Sequence, residues 1–240
     1  MNYQLPDCIV NLARELNSVT DVTNEIVSEV MVRAGLSEDA LFPYNLFNHT
    51  GTESYGRRLL YESDKFRILL MTWNPGDFTA IHNHGVTEWG GVYFFGNATH
   101  RLYETEYGNL KLSRKDIFEK GQTAAVCGDL THLMGNSGKT GFMSLHIYGS
   151  NKNLNDSLNK EKVFLPEHKL LATTSGPAFL NVAKEIKTSE EFFNNYTEET
   201  LLDYFDLIKP FYMRNKRDDL LLTIGSFEKD IDTYYNNENQ

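Results

Sequence analysis

Seven histidines occur in the chain, and three of them stand in a pattern with a chemical reason. His82 and His84 are two residues apart inside a predicted strand, 78–84. Side chains alternate across a strand, so residues two apart share a face. In a barrel, that face can be the interior. His132, near the start of a later predicted strand (131–134), can complete a set of three imidazoles. Neutral imidazole suits Fe, Mn, Ni, Cu and Zn alike. Three protein ligands leave coordination positions open for reactants, whereas a structural site fills its shell. A bare H-x-H pair also arises by chance as two hydrogen-bonded core residues, so the flanking residues decide its weight.

Those flanks are patterned. Gly76, His82, His84, Glu88 and Gly96 read G-x5-H-x-H-x3-E-x7-G, and Gly121, His132 and Asn136 read G-x10-H-x3-N. Glycines at such places suit tight turns between strands. In this order the two stretches resemble the two motifs of the cupin superfamily. The first has one extra residue before its last glycine, and the second has Cys127 and Asp129 where proline and glycine are usual. Many cupins use the motif carboxylate as a fourth ligand. Glu88 has the parity of His84, so unbroken alternation points it inward, and a bulge near Gly90-Gly91 reverses that.

Two further clusters bear on the reaction. Ser144, His146 and Tyr148 alternate along one predicted strand, 142–148. They can form a relay in which Ser144 orients His146 and His146 bonds Tyr148. The plainer reading is an inward face of ordinary barrel packing. Tyr55-Gly56-Arg57 opens the predicted barrel. Arg57 can hold a carboxylate through two charge-assisted bonds, or be a surface arginine.

Taken together, Tyr55-Gly56-Arg57, His82-Asn83-His84, His132 and Ser144-Leu145-His146-Ile147-Tyr148 resemble the cysteine dioxygenase family of thiol dioxygenases. The likeness covers roughly residues 5–150. It implies Fe(II) held by His82, His84 and His132, with a small thiol and O2 as reactants and a sulfinate as product. Arg57 would anchor the substrate carboxylate with support from Tyr55. Tyr148, oriented by His146 and Ser144, would hydrogen-bond substrate or oxygen. An arginine at position 57 matches the cysteine-specific branch, since the mercaptopropionate branch usually has glutamine there. Animal members crosslink a cysteine after H-x-H to the last tyrosine. This chain has no cysteine between Gly85 and Gly96, so no thioether at Tyr148 is expected. Two other readings compete: another metal-dependent cupin enzyme, a dioxygenase or isomerase, using Glu88 as a fourth ligand, and a non-catalytic ligand-binding cupin.

The elements that must position these residues fall into three stretches. Residues 1–50 read as helices packed on the barrel, with Ile9, Leu12, Ala13 and Leu16 in one stripe and Val27, Val30, Met31 and Ala34 in another. Thr23 caps the second helix, Gly35 stops it, and a short third helix follows Ser37 and ends before Pro43. Residues 51–165 carry nine short predicted strands: 57–61, 66–73, 78–84, 91–95, 100–106, 111–118, 123–126, 131–134 and 142–148. Short strands at regular spacing, punctuated by turn residues, predict a mainly β fold, a cupin (jelly-roll-like) barrel. Residues 166–240 read as a helical C-terminal extension. Thr188 with Glu191 forms a capping box, and Thr197 caps a helix carrying Leu201, Leu202, Phe205 and Ile208, which Pro210 ends. Leu220–Ile224 is too short to assign, and the last seven residues read as a frayed end. The extension could cap the barrel mouth, form a dimer face or close over substrate.

Bulk properties narrow the partners. The net charge is −10, which repels polyanions and argues against nucleic acid. Two cysteines far apart, Cys8 and Cys127, give no disulfide framework and suit a reducing cytosol. With no long apolar run and no signal-peptide pattern, a cytoplasmic monomer or homodimer without membrane contact is expected.

Overall fold

The computed structural model describes residues 4–152 and 160–238, with side chains through residue 229. Three helices come first: α1 (Asp7–Ser18), α2 (Asn24–Arg33) and α3 (Glu38–Leu41). Nine strands follow: β1 (Gly56–Glu62), β2 (Phe66–Trp73), β3 (Ile81–His82), β4 (Trp89–Phe94), β5 (Ala98–Glu106), β6 (Asn109–Phe118), β7 (Thr123–Val126), β8 (Thr131–Gly135) and β9 (Phe142–Gly149). Three more, β10 (Glu161–Leu165), β11 (Leu170–Thr174) and β12 (Lys187–Phe192), precede the helices α4 (Glu198–Arg214) and α5 (Asp218–Glu238).

The strands form a five-stranded sheet in the order β1-β2-β9-β4-β7 and a seven-stranded sheet in the order β12-β11-β10-β3-β8-β5-β6. From β2 to β10 the chain passes back and forth between the two sheets, and every ladder between named strands is antiparallel. One apolar cluster draws on both sheets, with Met71, Trp73, Val92, Phe94 and Phe142 from one and Ala98 and Met134 from the other. Two facing sheets wound by alternating strands make a mainly β cupin fold with N-terminal and C-terminal helices.

Alternation explains the layers outside the barrel. On β9, Ser144, His146 and Tyr148 point inward, while Met143, Leu145 and Ile147 join a second cluster with Ile9, Leu12, Leu16, Val27, Val30 and Met31 of α1 and α2. The stripes read from the sequence are therefore what the smaller sheet buries. The Thr23 side chain caps α2 by accepting from the backbone N–H of Ile26 at 3.4 Å.

A third cluster joins Leu133 and Val163 of the larger sheet to Tyr204, Phe205, Ile208 and Phe211 of α4 and to Leu220 and Ile224 of α5. The two C-terminal helices thus cover the larger sheet.

Several expectations are corrected. The stretch 78–84 is not one strand. Phe78 makes an isolated bridge to Gly135 and only Ile81–His82 is β3, so His84 lies just beyond it. Ala80 spends its N–H on Ala178 O at 2.9 Å rather than on a regular ladder. Residues 170–192 are not helical, and Thr188 and Glu191 belong to β12 rather than to a capping box. That strand is polar and exposed, so it lacks the alternating apolar face that marks a strand in sequence. Pro210 lies inside α4 rather than ending it. It faces solvent, so water can satisfy the carbonyl its missing N–H leaves free, while Phe211 and Tyr212 anchor the following turn in the core. Leu220–Ile224 is part of α5. That helix continues through Glu238, where a frayed end was expected, and the last two residues of that stretch lie outside the described residues.

Candidate metal centre and substrate cavity

β3 and β8 are paired so that His82 stands directly opposite His132. A turn through Gly85, at φ +57°, brings the chain back past His84. The three ring centroids lie 4.5–5.0 Å apart, and one ligand atom from each ring lies within 4.8 Å of the others. All three residues are buried. Burial, the dominant cause, pushes His82 down to about 4 and His84 and His132 well below the ordinary imidazole value. The rings are therefore neutral and hold lone pairs at physiological pH.

Their outer nitrogens fix which lone pair faces the centre. His82 Nδ1–H donates to Ala80 O at 3.0 Å, leaving Nε2 free. His132 Nδ1 is 2.8 Å from His100 Nε2, while His132 Nε2 is 2.9 Å from His84 Nε2. Two imidazole nitrogens that close, buried and without a carboxylate, suit a shared cation better than each other. The donor set fits a divalent transition metal. His100 was not singled out in the sequence. Its Nδ1, buried without a hydrogen-bond partner among the described residues, lies 3.8 Å from Asp116 Oδ2, which extends the chain of groups behind His132.

The imidazoles line a cavity of about 50 Å³ together with Tyr55, Arg57, Arg67, Met71, Tyr148 and Glu161. A single water needs roughly 10–15 Å³ on this measure, so the space takes a handful of small groups. Leu69, Met134 and Val86 make part of the wall apolar.

On β9, His146 Nε2 is 2.7 Å from Ser144 Oγ, and its Nδ1 is 2.8 Å from Tyr148 Oη. Behind them Trp73 Nε1–H donates to Ser144 Oγ at 2.9 Å. Indole only donates, so Ser144 Oγ accepts there, and among the described residues its own proton finds an acceptor at His146 Nε2. His146 then carries its proton on Nδ1 and donates it to Tyr148 Oη, which leaves the phenol proton free to point at the cavity. Burial keeps His146 neutral, pushing it down to about 3, and burial raises Tyr148 above its ordinary value. The Tyr148 ring stacks on His84 with centroids 5.0 Å apart.

Tyr55 is buried between Trp73 and Phe179, and its hydroxyl accepts from the Ala178 N–H at 3.1 Å. Arg57 Nε is buried with no hydrogen-bond partner among the described residues. Tyr55, Arg57, His82, His84, His132, His146 and Tyr148 thus line one cavity, and Ser144 lies behind His146.

Glu88 does not. Its Oε2 accepts from the Asn151 N–H at 2.7 Å, and Oε1 lies 3.5 Å from Lys152 Nζ. The expected alternation fails because β4 starts only at Trp89, and Thr87 N–H turns back to His84 O at 3.1 Å. Gly90 stands opposite Tyr148 in the β4–β9 ladder, Cys127 is exposed and Cys8 is half-buried. Sequence reasoning also missed Glu161 and Gly176, both at the cavity.

No family model matches the chain. Among solved structures, it is similar to a double-stranded β-helix protein from Klebsiella pneumoniae, at 16% identity over 47% of this chain and 89% of that one, with a TM-score of 0.36. It is similar to the oxalate decarboxylase of Lactobacillus farciminis at 15% identity over 42% of this chain, with a TM-score of 0.34, and spans only 30% of that enzyme's length. An RmlC-like cupin from Methanocaldococcus jannaschii gives 12% identity over 40% of this chain and 81% of that one, with a TM-score of 0.33. No described helix is long and apolar enough to cross a membrane.

Proposed function

We propose that this protein is a thiol dioxygenase that uses Fe(II) to convert a small carboxylated thiol, L-cysteine in the first instance, to its sulfinate, with both atoms of O2 added to sulfur. The observation that carries this reading is the convergence on one cavity of three neutral imidazoles, the Arg57 guanidinium and the Tyr148 hydroxyl.

His82, His84 and His132 would hold the iron. When bound, Fe(II) supplies a Lewis acid that favours the thiolate over the thiol and a redox partner for dioxygen. A set of three neutral ligands leaves its full positive charge to attract that thiolate. Arg57 binds the substrate carboxylate with its planar fork and so fixes the far end of the molecule. Tyr55 packs beside it and tethers the chain at Ala178. Tyr148, its phenol proton released by the Ser144–His146 relay, donates to substrate or oxygen where negative charge develops. Glu88 faces Asn151 and Lys152, which removes the feature that favoured a site with a fourth, carboxylate ligand.

The test is metal analysis of the purified protein together with oxygen uptake and product identification for L-cysteine, 3-mercaptopropionate and cysteamine. The expected result is iron-dependent sulfinate formation. Iron-loaded protein that oxidises none of the three would overturn the proposal.

A further inference from the structure

A second cavity lies in the barrel behind His132, and the chemistry above makes no use of it. Its volume is about 270 Å³, against about 50 Å³ for the substrate cavity. β7 ends the smaller sheet and β6 ends the larger one, and no ladder joins the two strands. The cavity occupies the space between the sheets at that seam. Val92, Phe94 and Val126 bound it on one side, and Leu102 and Phe118 on the other. The half-buried Ala124 and Leu130 lie on its outer side. His132 and Met134 line both cavities and so form the partition between them.

The lining is chiefly apolar, and Phe94 and Phe118 stack with centroids 4.8 Å apart. The polar groups are already engaged. His100 gives Nε2 to His132, and its buried Nδ1 lies toward Asp116. Arg114 Nε donates to Asp116 Oδ2 at 2.7 Å. An occupant that needs hydrogen bonds would give up those of water and recover few here. Apolar cavities stay dry and take up small apolar molecules or xenon. Dioxygen, a small apolar diatomic, leaves water for such a lining. The substrate cavity is the opposite environment. Arg57, Arg67 and Glu161 line it, and its volume takes only a handful of small groups, which a bound thiol acid supplies. Oxygen arriving after the thiol then needs another way in. Met134 is the movable part of the partition, because its unbranched side chain adapts by rotation. His132 is pinned by His100 at 2.8 Å.

We infer that the second cavity is a dioxygen site that feeds the metal past Met134. This rests on the thiol dioxygenase reading and deepens it, by separating the route of oxygen from that of the thiol. Were oxygen to enter by the thiol's own route, filling the second cavity would change nothing.

Xenon binding and oxygen kinetics test the inference. Crystals of iron-loaded wild type pressurised with xenon should show density between Phe94, Phe118 and Met134. Leu130→Trp and Ala124→Phe put a ring into the second cavity, and neither residue lines the substrate cavity. With thiol saturating, both variants should raise KM for oxygen severalfold. Their kcat, iron content and anaerobic affinity for L-cysteine should stay as in wild type. Met134→Ile, stiffened by its β-branch, should also raise KM for oxygen while xenon still binds. Wild type without xenon in this cavity would overturn the inference. So would an unchanged KM for oxygen in the two filled variants, with iron content and thiol affinity showing that they fold. An unchanged KM in Met134→Ile alone would overturn the passage past Met134. Xenon binding needs no turnover, so the two levels separate. Wild type that forms no sulfinate from any thiol removes the dioxygenase reading and oxygen delivery with it, while xenon density there still shows an apolar gas site.

Discussion

The indole N–H of Trp73 donates to Ser144 Oγ across 2.9 Å, and this bond decides which nitrogen of His146 carries a proton. With the serine oxygen accepting from tryptophan, its hydroxyl proton has, among the described residues, one recipient, His146 Nε2, 2.7 Å away. Ser144→Ala leaves the indole unpaired and removes that constraint, so His146 can protonate at Nε2 and take the phenol proton of Tyr148. The expected outcome is a kcat lowered roughly ten- to hundredfold, somewhat less than for loss of a direct donor, with KM for L-cysteine little changed. Ser144→Thr, which keeps the hydroxyl, should restore most of the rate. A KM effect with kcat intact would refute the relay.

His100 should matter to the metal and not to the substrate. It holds His132 Nδ1 at 2.8 Å and is itself buried, its own value pushed down to about 4 chiefly by burial. Partners of this kind typically change metal affinity roughly 10–100-fold. His100→Ala should weaken iron retention in a chelator competition by that factor, and His100→Gln should recover part of it. Thiol affinity at saturating iron should stay as in wild type. Unaltered chelator sensitivity would show that His132 is oriented by packing alone.

The difference between His132 and His100 shows what was legible in the sequence. His82, His84 and His132 could be found because their spacing sits in two recognisable stretches, and Ser144, His146 and Tyr148 because one strand alternates. His100 reaches the site only through the β5–β8 register, where His132 faces Leu102 and Met134 faces His100. No local pattern encodes that pairing. Glu161 and Gly176 come from β10 and from the turn after β11, past the last strand predicted from the sequence. β12, TSEEF in its body, hid because an exposed edge strand buries no alternating face. Glu88 was misplaced for a related reason. Parity carries direction only while the strand continues, and the turn at Gly85 interrupts it.

Gly176 is expected to be intolerant of a side chain. Its φ is +123°, a conformation L-residues rarely adopt, and a Cβ would meet Arg57 Nη2 at 3.2 Å. Gly176→Ala should therefore cost about 1–2 kcal/mol of stability and displace the guanidinium. KM should rise for L-cysteine and 3-mercaptopropionate but little for cysteamine, the same ranking expected for Arg57→Ala. Comparable loss with cysteamine in both variants would count against carboxylate recognition at Arg57.

Glu167 gives the protein a pH dependence unrelated to the metal. It is buried under α4, and burial pushes its carboxyl up to about 7 from an ordinary 4.5. Tyr204 Oη lies 3.1 Å from Oε2, and Tyr212 Oη contacts Oε1 and also lies 3.1 Å from Leu180 O. Tyr212 has one proton. When it serves Leu180 O, the protonated carboxyl can donate to Tyr212 in turn, so the network is fully satisfied only in the acid form. A carboxyl with a raised folded value binds more protons folded than unfolded. Its contribution is complete below about 4.5, declines as pH rises toward about 7 and is flat above that. The linkage amounts to at most about 3.4 kcal/mol. Glu167→Gln keeps a donor and cannot ionise. Relative to wild type, its thermal midpoint should therefore gain steadily between pH 5 and pH 7 and hold that gain at pH 8. Leu180 follows Ala178, which is bonded to Tyr55, so the same titration should loosen the cavity wall and raise amide exchange at residues 178–180 in wild type only. A difference between the two proteins that stays constant from pH 5 to pH 8 would mean that Glu167 does not titrate there.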